Sequence, residues 1–378
     1  MNILSIDEAK KFASRKSVIV TGVTGQDGSF MVDYLLRNTD LEVFGGARRL
    51  SVTNHENIAH LCKESRFHLI NFDLTDAHSI EQVVSQLKPD YFVNFAAQSF
   101  VKSSWDFPAQ TWDANTKSII HILEAIRNHV PKCRFYNAGS SEEFGNVAYS
   151  PQDEKHPLRP RSPYGASKAA ARQLVKVYRE SYNMYAVQGW LFNHEGSRRG
   201  EEFVTRKITT AVARINKDLK AGNLIEPLEL GNVDVSRDWS DAEDMVDAVW
   251  KMLNQEDAIQ QRAIDRECDI NLLFPNFVPK EFVVSSGEVH TVKEFVQLAF
   301  EHVGIGGKWI EHTDPLKTTF DTPKATLVKI NQAFYRPAEV KELWGDSTDI
   351  RNELGWNPQI SFRQLVAKMV DADVARLQ

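Results

Sequence analysis

Tyr164 and Lys168 stand four residues apart in the run Ser162-Pro163-Tyr164-Gly165-Ala166-Ser167-Lys168. On a helix that spacing puts both side chains on one face. An ammonium there favours the phenolate, which predicts a phenol usable as a base well below its ordinary value of about 10. Upstream, Asn137-Ala138-Gly139-Ser140-Ser141-Glu142 brings a hydroxyl and a carboxylate to the end of a predicted strand. A phenol, an ammonium, a hydroxyl and an acid are the parts of a proton-transfer site. The rival readings are a basic surface helix with a chance tyrosine, and a surface acid beside Glu143 at a loop tip.

These groups need a scaffold. Ser17-Val18-Ile19-Val20-Thr21 is a compact β-branched run of the kind found in buried parallel strands. A glycine-rich turn over 22–28 leads into the helical face Phe30–Leu36, and Leu41–Gly46 is a second strand. Phe67–Phe72, Tyr91–Ala96, Arg134–Ala138 and Ala186–Phe192 are further strand candidates with helix-like segments between most of them. Strands alternating with helices predict an α/β fold, a doubly wound parallel sheet of Rossmann type with right-handed crossovers. After residue 192 the rhythm changes. Segment 193–240 reads as polar and Arg-rich with isolated turns, and 259–279 as an insertion. Val292–Val303 and Phe362–Leu377 read as amphipathic helices. The organisation predicted is a dinucleotide-binding domain over 1–192, completed by pieces of 225–254 and 281–286, and a smaller interleaved substrate domain over 193–378.

Gly22-x-x-Gly25-x-x-Gly28, with Thr24, Gln26 and Asp27 inside it, lies between a strand and a helix. Bare backbone amides at a helix N-terminus can cradle a pyrophosphate there. At the end of the second strand an NAD-binding fold would present an acid to the ribose, but this chain has Arg48 and Arg49. Two guanidinium groups suit a 2′-phosphate, so NADP is expected over NAD. Asp73 and Leu74 follow the third strand, where an adenine would lie. Ala96-Ala97-Gln98-Ser99 follows the fourth and is small enough for close approach to a cofactor.

The 378 residues carry a net charge of −6 and 42% hydrophobic residues, which describes an ordinary globular protein. An acidic balance argues against nucleic-acid binding through bulk positive charge. Cys62, Cys133 and Cys268 are too few and too far apart for a disulfide framework or a zinc spacing. With no signal peptide and no apolar run of membrane-spanning length, a cytoplasmic protein without membrane partners is expected.

With these residues in place, the chain resembles the extended short-chain dehydrogenase/reductase superfamily, and within it the GDP-mannose 4,6-dehydratase family. The matching stretches include Thr21–Ser29, Ala96–Ser99, Ser140–Glu142, Arg161–Gly165, Leu191-Phe192-Asn193-His194-Glu195, Phe203–Lys207 and Tyr335–Val340. The likeness runs from about residue 17 to 377. It implies Ser140, Glu142 and Tyr164 as catalytic residues, with Lys168, His194 and Arg199 touching NADP. It implies Ser99, Asn193, Val204, Lys207, Arg237, Arg336 and Glu339 around a GDP-linked sugar, and a homotetramer, with a dimer as the alternative. Phe100, Gln110, Gly196 and Ser197 depart from the family pattern, which leaves the identity of the sugar open between mannose and a relative such as manno-heptose. Glu142 separates a dehydratase from an NADP-dependent epimerase, since only the former needs an acid at C5 of the sugar. A non-catalytic NADP sensor need not keep Tyr164, Lys168 and Glu142 together.

Overall fold

The computed structural model describes residues 3–52, 54–265, 277–335, 340 and 342–378. The predicted strands become β1 (Ser17–Thr21), β2 (Glu42–Ala47), β3 (Phe67–Asn71), β4 (Tyr91–Asn94), β5 (Arg134–Ala138) and β6 (Ala186–Leu191). With Val283–Val284 they form one seven-stranded parallel sheet in the order Val283–Val284, β6, β5, β4, β1, β2, β3. Successive side chains of a strand point to opposite faces. Val18 and Val20 therefore enter one core, with Met31 and Val249, while Ile19 enters the other, with Phe92 and Ala171. Helices Gln26–Asn38 and Ala242–Leu253 cover the first face. Ala77–Leu87, Ser118–His129 and Pro163–Tyr182 cover the second.

A third core has its own scaffold. Helices Val204–Ala221, Val292–His302 and Phe362–Arg376 pack around Phe295, Phe300 and Phe320. Beside them lies a four-stranded sheet in the order Lys308–Ile310, Thr319–Asp321, Thr326–Ile330, Leu228–Leu230. One sequence expectation changes here. The polar segment 193–240 contains the 18-residue helix Val204–Ala221. Leu228–Leu230 pairs with Thr326–Ile330 in parallel. The start of the 259–279 insertion falls in helix Gln255–Asp265, and 266–276 lie outside the described residues. Among the described residues no helix is long and apolar enough to cross a membrane.

Candidate active site

In the large sheet the strand order reverses between β1 and β4, and the chain connections leave that point in opposite directions. A crevice opens at the carboxyl ends of the strands there. A row of buried side chains ties those ends together: Thr21 Oγ1 donates to Asn94 Oδ1 (2.6 Å), Asn94 Nδ2 to Asn137 Oδ1 (2.8 Å), and Asn137 Nδ2 to Gln188 Oε1 (2.6 Å).

The glycine turn after β1 is packed where no side chain fits. Gly22 has φ of +70°, and a Cβ on it would sit 2.8 Å from Ala96 N; a Cβ on Gly28 would sit 2.3 Å from Gly22 O. Gly25 caps helix Gln26–Asn38 without a side-chain acceptor, so the first-turn amides keep their donors for an anion. Asn57 Nδ2 holds the turn by donating to Thr24 O at 3.0 Å. Gly22 N donates to Gly46 O at 3.1 Å, which brings the end of β2, and the exposed Arg48 and Arg49 beyond it, beside the turn. The turn and its neighbours thus fit a dinucleotide.

Below the crevice lies a cavity of about 800 Å³. Its walls include Ser140, Glu142, Tyr164 and Lys168, and also Asp27, Ala97, Ser99, Asn193, His194, Arg199, Val204, Lys207 and Arg237. Ser162 caps helix Pro163–Tyr182 by accepting from Gly165 N at 3.0 Å, which starts that helix where Tyr164 and Lys168 both face the cavity. Ser140 caps the short 3₁₀ turn Ser141–Glu143, accepting from Glu142 N at 3.2 Å. Its hydroxyl also hydrogen-bonds the Tyr164 phenol.

The titration of Tyr164 departs from the sequence expectation. Burial pushes the phenol up from its ordinary value; the Ser140 hydrogen bond pulls it down, Glu142 and Glu143 raise it, and Arg199 lowers it. Lys168 Nζ donates to Ala138 O at 2.7 Å and lies 5.9 Å from the centre of the Tyr164 ring. Burial beside two carboxylates thus sets the direction of the phenol's shift. Lys168 itself is pushed down to about 8 by burial, against the pull of Glu143 and Asp27.

At the cofactor end, the His194 ring sits between two acceptors, Phe192 O at 2.7 Å from Nδ1 and Asp27 Oδ2 at 3.0 Å from Nε2. The doubly protonated ring satisfies both. Gln26 Nε2 donates to Asp27 Oδ1 (3.0 Å) and His194 O (3.1 Å). Arg199 Nε lies 3.0 Å from Glu195 Oε2, its guanidinium 3.5 Å from the centre of the Phe203 ring. Across the cavity, Lys207 Nζ lies 3.4 Å from the centre of the Phe334 ring, and burial lowers its pKa.

Other sequence candidates have partners within the chain. Leu74 packs into the second core, and Asp73 accepts from Thr75 N and Oγ1. Ala96 contributes its backbone against Gly22, and its N–H donates to Thr21 Oγ1 at 3.2 Å. Gln98 turns its amide to Phe100 O and is clamped by Asn115. Arg336 and Glu339 lie outside the described residues. Glu143 and Arg172, a buried ion pair behind the Ser140 turn, were not singled out by the sequence. An acid and a base 29 residues apart carry no local signal of pairing.

The sequence profile of the GDP-mannose 4,6 dehydratase family matches residues 19–270 and 265–369. The chain belongs to that family. It is 39% identical over 368 residues to the GDP-mannose 4,6 dehydratase of Drosophila melanogaster, covering 95% of this chain and 86% of the relative. It is 37% identical over 383 residues to the GDP-mannose 4,6-dehydratase of Vibrio cholerae, covering 97% and 95%. In fold it is similar to RMD from Pseudomonas aeruginosa complexed with NADPH, at a TM-score of 0.69 and 21% identity, covering 96% of this chain and 100% of that one. In this member of the GDP-mannose 4,6-dehydratase family, Tyr164, Lys168 and Glu142 converge on one cavity beside the doubly wound sheet.

Proposed function

We propose that this protein is an NADP-dependent hydro-lyase that converts GDP-D-mannose to GDP-4-keto-6-deoxy-D-mannose. The observation that carries the reading is that Glu142 lines the same cavity as Ser140, Tyr164 and Lys168. An epimerase needs the phenol and the ammonium but no carboxylate at C5.

NADP, when bound, supplies the redox chemistry, accepting hydride from C4 and returning it to C6. The chain's own residues move the protons. Tyr164 takes the C4 hydroxyl proton, and Ser140 hydrogen-bonds the phenol that receives it. Burial, Glu142 and Glu143 oppose the phenolate, and the Ser140 hydroxyl and Arg199 favour it. The C4 ketone acidifies the C5 proton. Glu142 removes that proton and gives it to the departing C6 hydroxyl, which leaves as water. A proton then returns to C5, balancing the one that Tyr164 took from the C4 hydroxyl, so that the phenolate is restored. Redox is balanced over the cycle, so the fold of a dehydrogenase performs a lyase reaction.

Gly22, Gly25 and Gly28, with the amides of Gln26 and Asp27, hold the pyrophosphate, and Arg48 and Arg49 the 2′-phosphate. His194 and Arg199 sit at the same end. Asn193, Val204, Lys207 and Arg237 hold the GDP half of the substrate, where two cations in a partly buried wall suit a diphosphate. Assembly as a homotetramer goes with this reading, and light scattering of the purified protein tests it. Cys62 and Cys133 are free, which suits the cytoplasm.

The test is incubation of purified protein with GDP-mannose and, separately, GDP-manno-heptose, followed by mass spectrometry. Loss of one water from GDP-mannose is expected. A product of unchanged mass would make the protein an epimerase, and water loss from the heptose alone would change the substrate.

A further inference from the structure

The Glu143 carboxylate is fully buried and gathers partners from three elements. It accepts from Ser140 N (2.9 Å) in its own turn, from Gln188 Nε2 (3.1 Å) on β6, and from Arg172 Nε (2.5 Å) and a terminal Arg172 nitrogen (3.3 Å) on helix Pro163–Tyr182. Gln188 Nε2 also donates to Lys168 O at 3.0 Å. Arg172 reaches on to Glu281 Oε2 at 3.0 Å, its guanidinium 3.4 Å from the centre of the Trp190 ring. A Cβ on Gly139 would lie 2.7 Å from Arg172 and 2.8 Å from Glu143, so the glycine before Ser140 makes room for the pair.

We propose that Glu143 and Arg172 are positioning residues of the active site. They set the gap between the Ser140–Glu142 turn and the Tyr164–Lys168 helix face, and the Glu143 carboxylate supplies the counter-charge for the Lys168 ammonium. This rests on the reading of Tyr164, Lys168 and Glu142 given above. Neither residue lines the cavity, so both act through their neighbours. Stability alone does not explain them, because a buried ion pair is often no better than apolar groups of the same volume. What the pair provides is a fixed distance and a charge. Glu143 is the largest influence opposing the burial of Lys168, with Asp27 second, and it also raises Tyr164 alongside Glu142, against Ser140 and Arg199.

The test uses the full chain with its cofactor. Lys168 is titrated by NMR on ¹³C-lysine-labelled protein, its resonance identified by its absence in Lys168→Met. Turnover of GDP-mannose is measured in parallel. In Glu143→Gln, Lys168 should titrate at lower pH than in the unaltered protein, and kcat should fall roughly 10–100-fold with KM within about threefold. Arg172→Lys keeps the charge and alters the geometry, so kcat should fall while the Lys168 titration stays. A folded Glu143→Gln protein with an unchanged Lys168 titration would overturn the counter-charge role. An unchanged kcat in Arg172→Lys would overturn the positioning role. Failure of the unaltered protein to dehydrate GDP-mannose would defeat the proposed function, while the Lys168 titration would still decide the role of Glu143.

Discussion

Asp27 Oδ2 lies 3.0 Å from His194 Nε2, so the helix after the glycine turn is fastened to the strand Asn193–Glu195 at the mouth of the cavity. The two groups shift each other. Asp27 is held down at about 2, despite its burial, by His194 and Arg199. His194 is raised from 6.5 by Asp27 against its own burial. The Asp27 contribution to stability is present above its unfolded value and is lost as pH falls through about 2. The His194 contribution is complete below its unfolded value and is lost as pH rises through its raised value. Together they support the fold most between about pH 4 and 6.5. His194→Gln should therefore cost roughly 1–2 kcal/mol at pH 6 and clearly less at pH 9. Urea unfolding at the two pH values checks this; an equal cost at both would remove the ion pair from the account.

Glu142→Gln keeps the shape of the side chain and removes its basicity. Turnover should fall by roughly 10²–10⁴-fold, the scale of a lost general base, while the protein still carries its cofactor. Mass spectrometry of the product and absorbance of the released nucleotide measure the two halves. Full turnover by the variant would mean that another group takes the C5 proton.

Arg48 and Arg49 face solvent at the end of β2 and line no part of the cavity. Replacing both with alanine should weaken NADP by about tenfold or more, as expected for losing charge-assisted hydrogen bonds, and leave NAD nearly unchanged. Calorimetry with each nucleotide distinguishes this from a general loss of binding, which would assign the 2′-phosphate elsewhere.

Gly28→Ala places a methyl 2.3 Å from Gly22 O, a backbone atom that cannot move without opening the turn. The expected result is a loss of roughly 1–3 kcal/mol in stability together with weaker cofactor binding. Differential scanning fluorimetry with and without NADP reads both. A variant melting like the unaltered protein and keeping its NADP-induced rise in Tm would show that the turn is looser than its contacts indicate.

Much of this architecture was legible in the residues. Strands β1 to β6 lie within one or two residues of their sequence positions, because strands buried on both faces read as continuous apolar runs. Helix Val204–Ala221 was not legible. Its buried face mixes Ile208, Val212 and Ile215 with Thr205, Arg206 and Thr209. Those polar groups are satisfied by Glu195 and Asp373, and Asp373 is more than 160 residues away, so the stretch looks solvated when read alone. The same reason hid Glu143 and Arg172. Around Tyr164 the neighbouring groups are readable from the residues but the depth of burial is not, and burial decides the direction in which the phenol shifts.

The central claim is that one active site takes hydrogen from C4 and gives it to C6 of the same sugar, with Glu142 removing water between the two events. Purified protein supplied with GDP-mannose deuterated at C4 tests it directly by mass spectrometry and NMR of the product. The prediction is a product lighter by one water that carries the deuterium on its C6 methyl group. A dehydrated product whose label has been lost to solvent, or a labelled product that has kept its water, would contradict it.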